Sequence, residues 1–439
     1  MLPLLIVITG VILLLLLITV FKLNAFISFS LVCLFVGLGM GLSLDTTIDA
    51  MKKGMGDTLG LLVLILGFGS MLGKLVADSG SAQRITNALV KAFGLKKIHW
   101  ALMLTGFIVG IPMFYSVGFV ILVPIVFTVA AATRLPLLFV GLPMLASLSV
   151  THGYLPPHPA PTAIADMFNA DLGKTMFLGL LVAIPAIVIA GPILSPRFKH
   201  IQAKPLEDFT GQAPLEEEEL PSTFISIVTA LMPVILIASS GIGSYLVPKG
   251  STIYGVLQGI GNPVFAMLIS VLFAIYTLGI RRGKKIGEIM NGLTHAISSI
   301  AMILLILAGA GGLKEILVTS GISDYLGDLL SQSQLSPLFL GWLIAAVIRV
   351  AVGSATVAGM TAAGIVLPLA TSPGVSPELM VLAIGSGSLM LSHVNDGGFW
   401  MFKEYFNLSV KETLMTWTVM ETTISVVGLI GIFIVSIFV

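Results

Sequence analysis

Charge is scarce in this chain. Of 439 residues, 10% are Asp, Glu, Lys or Arg, against 56% that are hydrophobic. A soluble domain carries roughly 25% charged and about 45–50% apolar residues. So little charge cannot cover a water-facing globule, so lipid must be the solvent over much of the surface. Neither sign dominates: 22 basic and 21 acidic residues leave a net charge of +1, and nothing points to nucleic acid. Cysteine is almost absent. With Cys33 alone, no disulfide can form within the chain, and its place in an apolar run suggests a packed small residue. Met1-Leu2-Pro3 lacks the basic stretch and small-residue cleavage site of a signal peptide, so the first apolar run is expected to stay as a helix.

Enzyme signatures are missing as well. There is no His-Glu-x-x-His, and Gly73-Lys74 has neither the glycine spacing nor the hydroxyl residue of a P-loop. Gly54-Met55-Gly56-Asp57 matches the G-x-G-D string of intramembrane aspartyl proteases. It falls in an expected polar loop, with no second intramembrane Asp in a matching context. No catalytic residue, metal site or cofactor is expected.

What is abundant is apolar sequence. A spanning helix needs about 20 apolar residues. Runs at 2–21, 24–42, 59–77, 175–195, 223–247, 263–280, 297–313 and 414–438 qualify, and 98–151 and 337–392 each hold several more. Pro112, Pro124, Pro136 and Pro143 interrupt the first of these long regions. Gly353, Gly359, Gly364, Pro368, Pro373 and Gly374 interrupt the second. The expected fold is an all-α polytopic bundle of about twelve crossings with broken helices.

The longest polar stretch, 197–221, holds Arg197, Lys199, Lys204, Glu207, Asp208 and the acidic run Glu216 to Glu219. It reads as a solvated linker between two halves, 1–196 and 222–439. The halves resemble each other. Ser79-Gly80, Pro136 and His152 recur as Ser320-Gly321, Pro377 and His393, all at one offset of 241 residues. Phe168-Asn169 recurs as Phe406-Asn407 after a three-residue slip. Charge then orients them. Arg281, Arg282, Lys284 and Lys285, with Arg197, Lys199 and Lys204, mark cytoplasmic segments. Loop 319–336, with Asp324 and Asp328 but no Lys or Arg, reads as external, whereas its counterpart 78–97, with Arg84, Lys91, Lys96 and Lys97, reads as cytoplasmic. Equivalent helices should therefore cross in opposite directions. Inverted-topology repeats are a common build of secondary transporters, with the binding site where the repeats meet.

Three segments carry candidate chemistry. His152-Gly153-Tyr154-Leu155-Pro156-Pro157-His158-Pro159-Ala160-Pro161-Thr162 cannot continue a helix through its prolines. Broken backbone at membrane depth is tolerated only inside protein or beside a watery cavity. A half-helix starting near Thr162 would aim its N–H groups there and attract an anion. Ser392-His393-Val394-Asn395-Asp396-Gly397-Gly398 repeats the break, and Asn395 and Asp396 offer partners to hydroxyl groups. Arg349 sits mid-run before Gly353-Ser354-Ala355-Thr356, facing either a distant Asp or a substrate carboxylate, with Ser354 and Thr356 lining the break. Tyr115 and Ser116, past Pro112 and Phe114, are the first-half counterparts. Lys74 and Asp78 read as interfacial snorkelling groups.

These residues resemble the gluconate permease family of bacterial inner-membrane symporters, within the wider ion-transporter superfamily. The resemblance runs almost end to end. It is carried by Leu66-Gly67-Phe68-Gly69-Ser70-Met71-Leu72-Gly73-Lys74, Ser149-Val150-Thr151-His152-Gly153, Arg349 with Gly353 to Ala358, Ser392 to Asp396 with Gly398-Phe399-Trp400, and Phe402 to Asn407. It implies proton-coupled uptake of gluconate or a related sugar acid, paired re-entrant hairpins and a homodimer. Two positions depart from the family pattern. Ser116 stands where relatives usually carry an acidic residue, which leaves Asp396, Glu404, His152 and His393 as candidates for the coupled proton. Ala160 stands where relatives often have Gly. The rival readings are a symporter, proton- or sodium-coupled, of another hydroxylated or amino acid anion such as D-serine or a dicarboxylate, an ion channel, and an intramembrane enzyme.

Overall fold

The computed structural model describes residues 2–111, 115–156, 158–205, 215–248, 250–322, 325, 335–370 and 375–439. Pro112, Phe114, Pro157, Glu207, Asp208, Asp324, Asp328, Pro373 and Gly374, which enter the sequence reading, lie outside the described residues.

Every regular element among the described residues is helical. The chain opens with α1 (Leu2–Thr19), α2 (Ala25–Gly39) and the long α3 (Leu44–Asp78), then α4 (Ser81–Phe93), α5 (Ile98–Gly110) and α6 (Tyr115–Thr133). Next come α7 (Leu137–Tyr154), the short α8 (Pro159–Met167) and α9 (Leu172–Val188). The second half runs through α10 (Thr223–Leu246), α11 (Thr252–Ile260), α12 (Pro263–Ala274) and the long α13 (Ile286–Thr319). It ends with α14 (Pro337–Val352), α15 (Ala355–Ala370), α16 (Pro377–Gly387), α17 (Gly397–Tyr405), the single turn α18 (Val410–Thr413) and α19 (Val419–Ser436).

Seven helical stretches among the described residues are long and apolar enough to cross a bilayer, and α4 with Leu95–Gly110, bent by 98°, makes an eighth if counted as one span. Shorter apolar helices of 10–17 residues accompany them. The expected twelve crossings therefore appear as seven or eight full spans plus short helices, because glycines and prolines divide the apolar runs.

Some boundaries differ from expectation. The run at 59–77 belongs to a 35-residue helix that starts at Leu44. Ser43 starts it, its Oγ accepting the Thr46 N–H at 3.1 Å. Gly54 to Asp57 are thus helical, not a polar loop. Gly54 is there for packing: a Cβ on it would stand 2.3 Å from the Gly311 carbonyl oxygen, so α3 and α13 meet backbone to backbone. The expected cytoplasmic loop 78–97 is largely α4. The polar stretch after α9 is anchored where described. Gln83 exchanges two hydrogen bonds with the Leu215 backbone at 2.9 and 3.1 Å, and Arg84 pairs with Glu217. Lys74 pairs with Asp78 at 3.1 Å.

Matched positions of the two halves show matched geometry. The helices α3 and α13 have 35 and 34 residues and both end at Ser-Gly, with Gly80 and Gly321 at φ 76° and 73°. Nine residues make up each of α8 and α17, and the Asn that follows each, Asn169 and Asn407, is left-handed at φ 52° and 48°.

The chain divides into two compact units. The first comprises Met1–Gly60, Ser149–Leu194 and Ile303–Val439; the second comprises Leu61–Leu148 and Ser195–Met302. Each draws on both halves of the sequence. The first unit's core is aromatic. Trp400 meets Phe29 edge-on at 5.6 Å, and Phe402 stacks on Trp417 at 5.4 Å.

Candidate functional site

The break after α16 is held open by hydrogen bonds from two tryptophans. Trp400 Nε1 donates to the Val394 carbonyl at 2.7 Å, and Trp417 Nε1 donates to Ser392 Oγ at 2.7 Å. Leu391 is left-handed at φ 46°, which turns the chain away from helix. Residues 393–395 then close the C-terminus of α14, whose last carbonyls have no partner within the helix. His393 Nε2 lies 2.9 Å from the Val350 carbonyl. A carbonyl only accepts, so Nε2 carries the proton. Asn395 Nδ2 donates to the Val350 and Ala351 carbonyls at 2.9 and 3.1 Å. Gly353 ends α14 at φ 77°, and a Cβ there would stand 2.2 Å from the Asn395 carbonyl oxygen. Only glycine fits that close approach.

Asp396 caps α17, its Oδ1 accepting the Gly398 N–H at 3.0 Å. Its Oδ2 accepts from Ser392 Oγ and from Arg349 Nη2. Arg349 is therefore ion-paired, as one of its two sequence readings held. The pair uses only part of the guanidinium. Arg349 is 4% exposed, yet its Nε and Nη1 have no hydrogen-bond partner in the protein. Buried polar groups in proteins are almost always bonded, and leaving one unpaired costs about 1–3 kcal/mol.

The helix ends that lead into the two breaks lie against each other. Gly385 and Gly153 approach so closely that a Cβ on Gly385 would stand 2.4 Å from the Gly153 carbonyl oxygen. A Cβ on Gly153 would meet Leu389 at 2.7 Å. The histidines before and within these segments share an environment, with Arg349 and Asp396 as charged neighbours of both His152 and His393. The His152 and His158 rings are 5.2 Å apart, near perpendicular. Helix α8 starts at Pro159, three residues before the expected Thr162, because proline is tolerated in a first helical turn. Its backbone N–H at Thr162 is already taken by the His158 carbonyl at 3.0 Å.

More unpaired polar atoms lie in the same compact unit. They are Thr162 Oγ1, His152 Nδ1 and Asn395 Oδ1, the last on a residue only 2% exposed. The unit thus holds free donors on a cation together with groups able to accept or exchange hydroxyl hydrogens. That set suits a hydroxylated carboxylate.

Not every expected residue joins this group. Glu404 lies in the last turn of α17, opposite the end capped by Asp396, and pairs with Lys403 at 2.8 Å. Ser354 Oγ accepts the Val357 N–H at 3.4 Å and so serves the start of α15, and Thr356 is exposed. Tyr115 and Ser116 form the first turn of α6 in the second unit, with Tyr115 against Phe119 at 5.9 Å.

One residue escaped the sequence reading. Glu421, on α19, is 1% exposed, and its Oε1 has no partner in the protein. Ser149 is its hydrogen-bonding neighbour, and Arg349 and Asp396 are its charged neighbours. An isolated acid inside the apolar run 414–438 was the available signal.

Comparison with known proteins bears on this geometry. The family model described as GntP family permease matches residues 2–438. The chain is 51% identical over 429 residues to the high-affinity gluconate transporter of Escherichia coli (strain K12), covering 98% of both chains. It is 48% identical to the Gnt-II system L-idonate transporter of the same organism, again covering 98% of both. It is 46% identical to the gluconate permease of Bacillus subtilis (strain 168), covering 97% of this chain and 98% of that one.

Proposed function

Because the chain belongs to the GntP permease family, we propose that it imports gluconate or a related sugar acid by proton symport, through alternating access across the bacterial inner membrane. One observation carries the substrate class: the buried Arg349, paired to Asp396 through Nη2 alone, keeps Nε and Nη1 unbonded. A carboxylate can bind those donors as a fork. Hydroxyl groups along the sugar acid then bond Asn395 Oδ1, Thr162 Oγ1 and His152 Nδ1, with His158, His393, Asp396, Ser354 and Thr356 shaping or lining the path. Relatives named for gluconate and for L-idonate support a sugar acid over an amino acid.

The two halves act in this reading as inverted repeats, 1–196 and 222–439, joined by the charged segment 197–221. Nearly equal lengths of α3 and α13, equal lengths of α8 and α17 and the shared left-handed Asn169 and Asn407 support it. Two breaks that meet in one unit suit a site reached from either side in turn.

Uptake of labelled gluconate into proteoliposomes, with and without an inward proton gradient, tests the proposal. Accumulation above equilibrium only with the gradient is expected. Uptake indifferent to protons, or driven by sodium instead, contradicts the coupling.

A further inference from the structure

We infer that Glu421 is the residue that carries the coupled proton. The inference rests on the proton-symport reading above and names the group that performs it. Both oxygens of Asp396 are taken, by Arg349, Ser392 and the Gly398 N–H. A proton placed there would displace one of these donors and release Arg349. His393 has its Nε2–H committed to Val350. Glu404 is bound to Lys403 at the far end of α17. Ser116 has no proton to exchange near neutral pH. His152 keeps a free Nδ1, but its charged form would face the Arg349 guanidinium, a like charge.

Glu421 differs from all of these. It is 1% exposed, its Oε1 has no hydrogen-bond partner in the protein, and the Ser149 hydroxyl is its neighbour. Ser149 lies one turn before His152 on α7, so the carboxyl faces the same end of that helix as the first break. From α7, the Tyr154 hydroxyl donates to the Ile424 carbonyl at 2.6 Å, which holds α19 against this end one turn beyond Glu421. The groups facing Glu421 from the packed elements are Ser149 and Tyr154 on α7, Arg349 on α14 and Asp396 before α17. Arg349 is the sole cation among them, and Asp396 already offsets it.

This arrangement couples proton and substrate by charge. With Glu421 ionised, the cluster holds two carboxylates and one guanidinium. An arriving substrate carboxylate would be a third anion beside a single cation among buried groups. With Glu421 protonated, the arriving anion meets only the Arg349–Asp396 pair. The proton moves onto Oε1 or Oε2, no other bond changes, and the complex gains one anion and one proton together. Each then favours the other to the same extent, as linkage requires.

Glu421→Gln keeps the shape and the neutral state but cannot release a proton. Three measurements on full-length protein in proteoliposomes test it: accumulation of labelled gluconate under an inward proton gradient, counterflow of labelled against internal unlabelled gluconate at equal pH, and gluconate-induced proton entry read by an enclosed pH dye. The Gln variant is expected to keep counterflow, lose proton entry and accumulate gluconate about tenfold less or worse, the usual scale of coupling between sites. Glu421→Asp should restore part of the proton entry. A Gln variant that accumulates gluconate with undiminished proton entry overturns the inference and leaves the symport reading intact. Loss of counterflow in the Gln variant also overturns it, by assigning Glu421 to binding or to the fold. Wild-type uptake that ignores protons fails at an earlier step, because the symport reading itself is then wrong.

Discussion

At the scale of single residues, the site is a set of helix-end repairs with capacity left over. His393 and Asn395 satisfy the last carbonyls of α14, and Asp396 caps α17. These are structural tasks, yet Asn395 Oδ1 and two nitrogens of Arg349 remain unbonded. Gly353 is the tightest point. Gly353→Ala must hold a methyl-bearing residue at φ 77° against the Asn395 carbonyl. We expect it to destabilise the protein by about 1–3 kcal/mol and to weaken substrate binding, because Asn395 must move. Thermal unfolding in detergent, alongside uptake kinetics, measures both. The types of these residues were legible in the sequence as polar groups in apolar runs. Their division of labour was not, because the partner of Arg349 lies 47 positions away in the chain. Glu421 shows the opposite failure. Its signal was plain, one acid in an apolar helix, but motif spacing directs attention to breaks and not to unbroken spans.

At the scale of elements, apolar length and helix breakers made the all-helical character and most helix positions legible in the sequence, but not the number of full spans. Starts of helices followed familiar chemistry, as at Asp171, whose side chain accepts the Lys174 N–H at 2.6 Å. The long α3 and α13 exceeded expectation because their first turns are polar, and composition alone reads such turns as loop. Gly54 against Gly311 explains why a helix persists there: close packing outweighs the low helix propensity of glycine. Lipid contact is equally specific. On α9, Phe177, Leu181 and Ile184 are 62%, 47% and 53% exposed and fall on one helical face. Leu181→Arg places a cation on that face, at a cost of about 2.5–3.5 kcal/mol if near the bilayer centre. The amount of folded, membrane-inserted protein should fall, whereas Leu181→Ala should insert normally. Quantifying extracted protein by fluorescence size-exclusion chromatography compares the two.

At the scale of the whole molecule, each compact unit takes segments from both halves of the sequence. A shared offset suggests two halves, and helix lengths and left-handed residues are similar at the matched positions. The offset does not reveal the grouping into units, which depends on long-range packing rather than on any local pattern. The functional account depends on that grouping, because it brings His152, Arg349, Asn395, Asp396 and Glu421 into one unit. The most direct test is calorimetric binding of gluconate to purified wild-type protein and to Arg349→Ala, each first shown to be folded. Removing a buried group that holds a charged ligand costs about 2–5 kcal/mol, roughly 30-fold or more in affinity. The account predicts saturable wild-type binding, competed by L-idonate, and a loss of at least that size in the variant. Wild-type affinity in folded Arg349→Ala would contradict it.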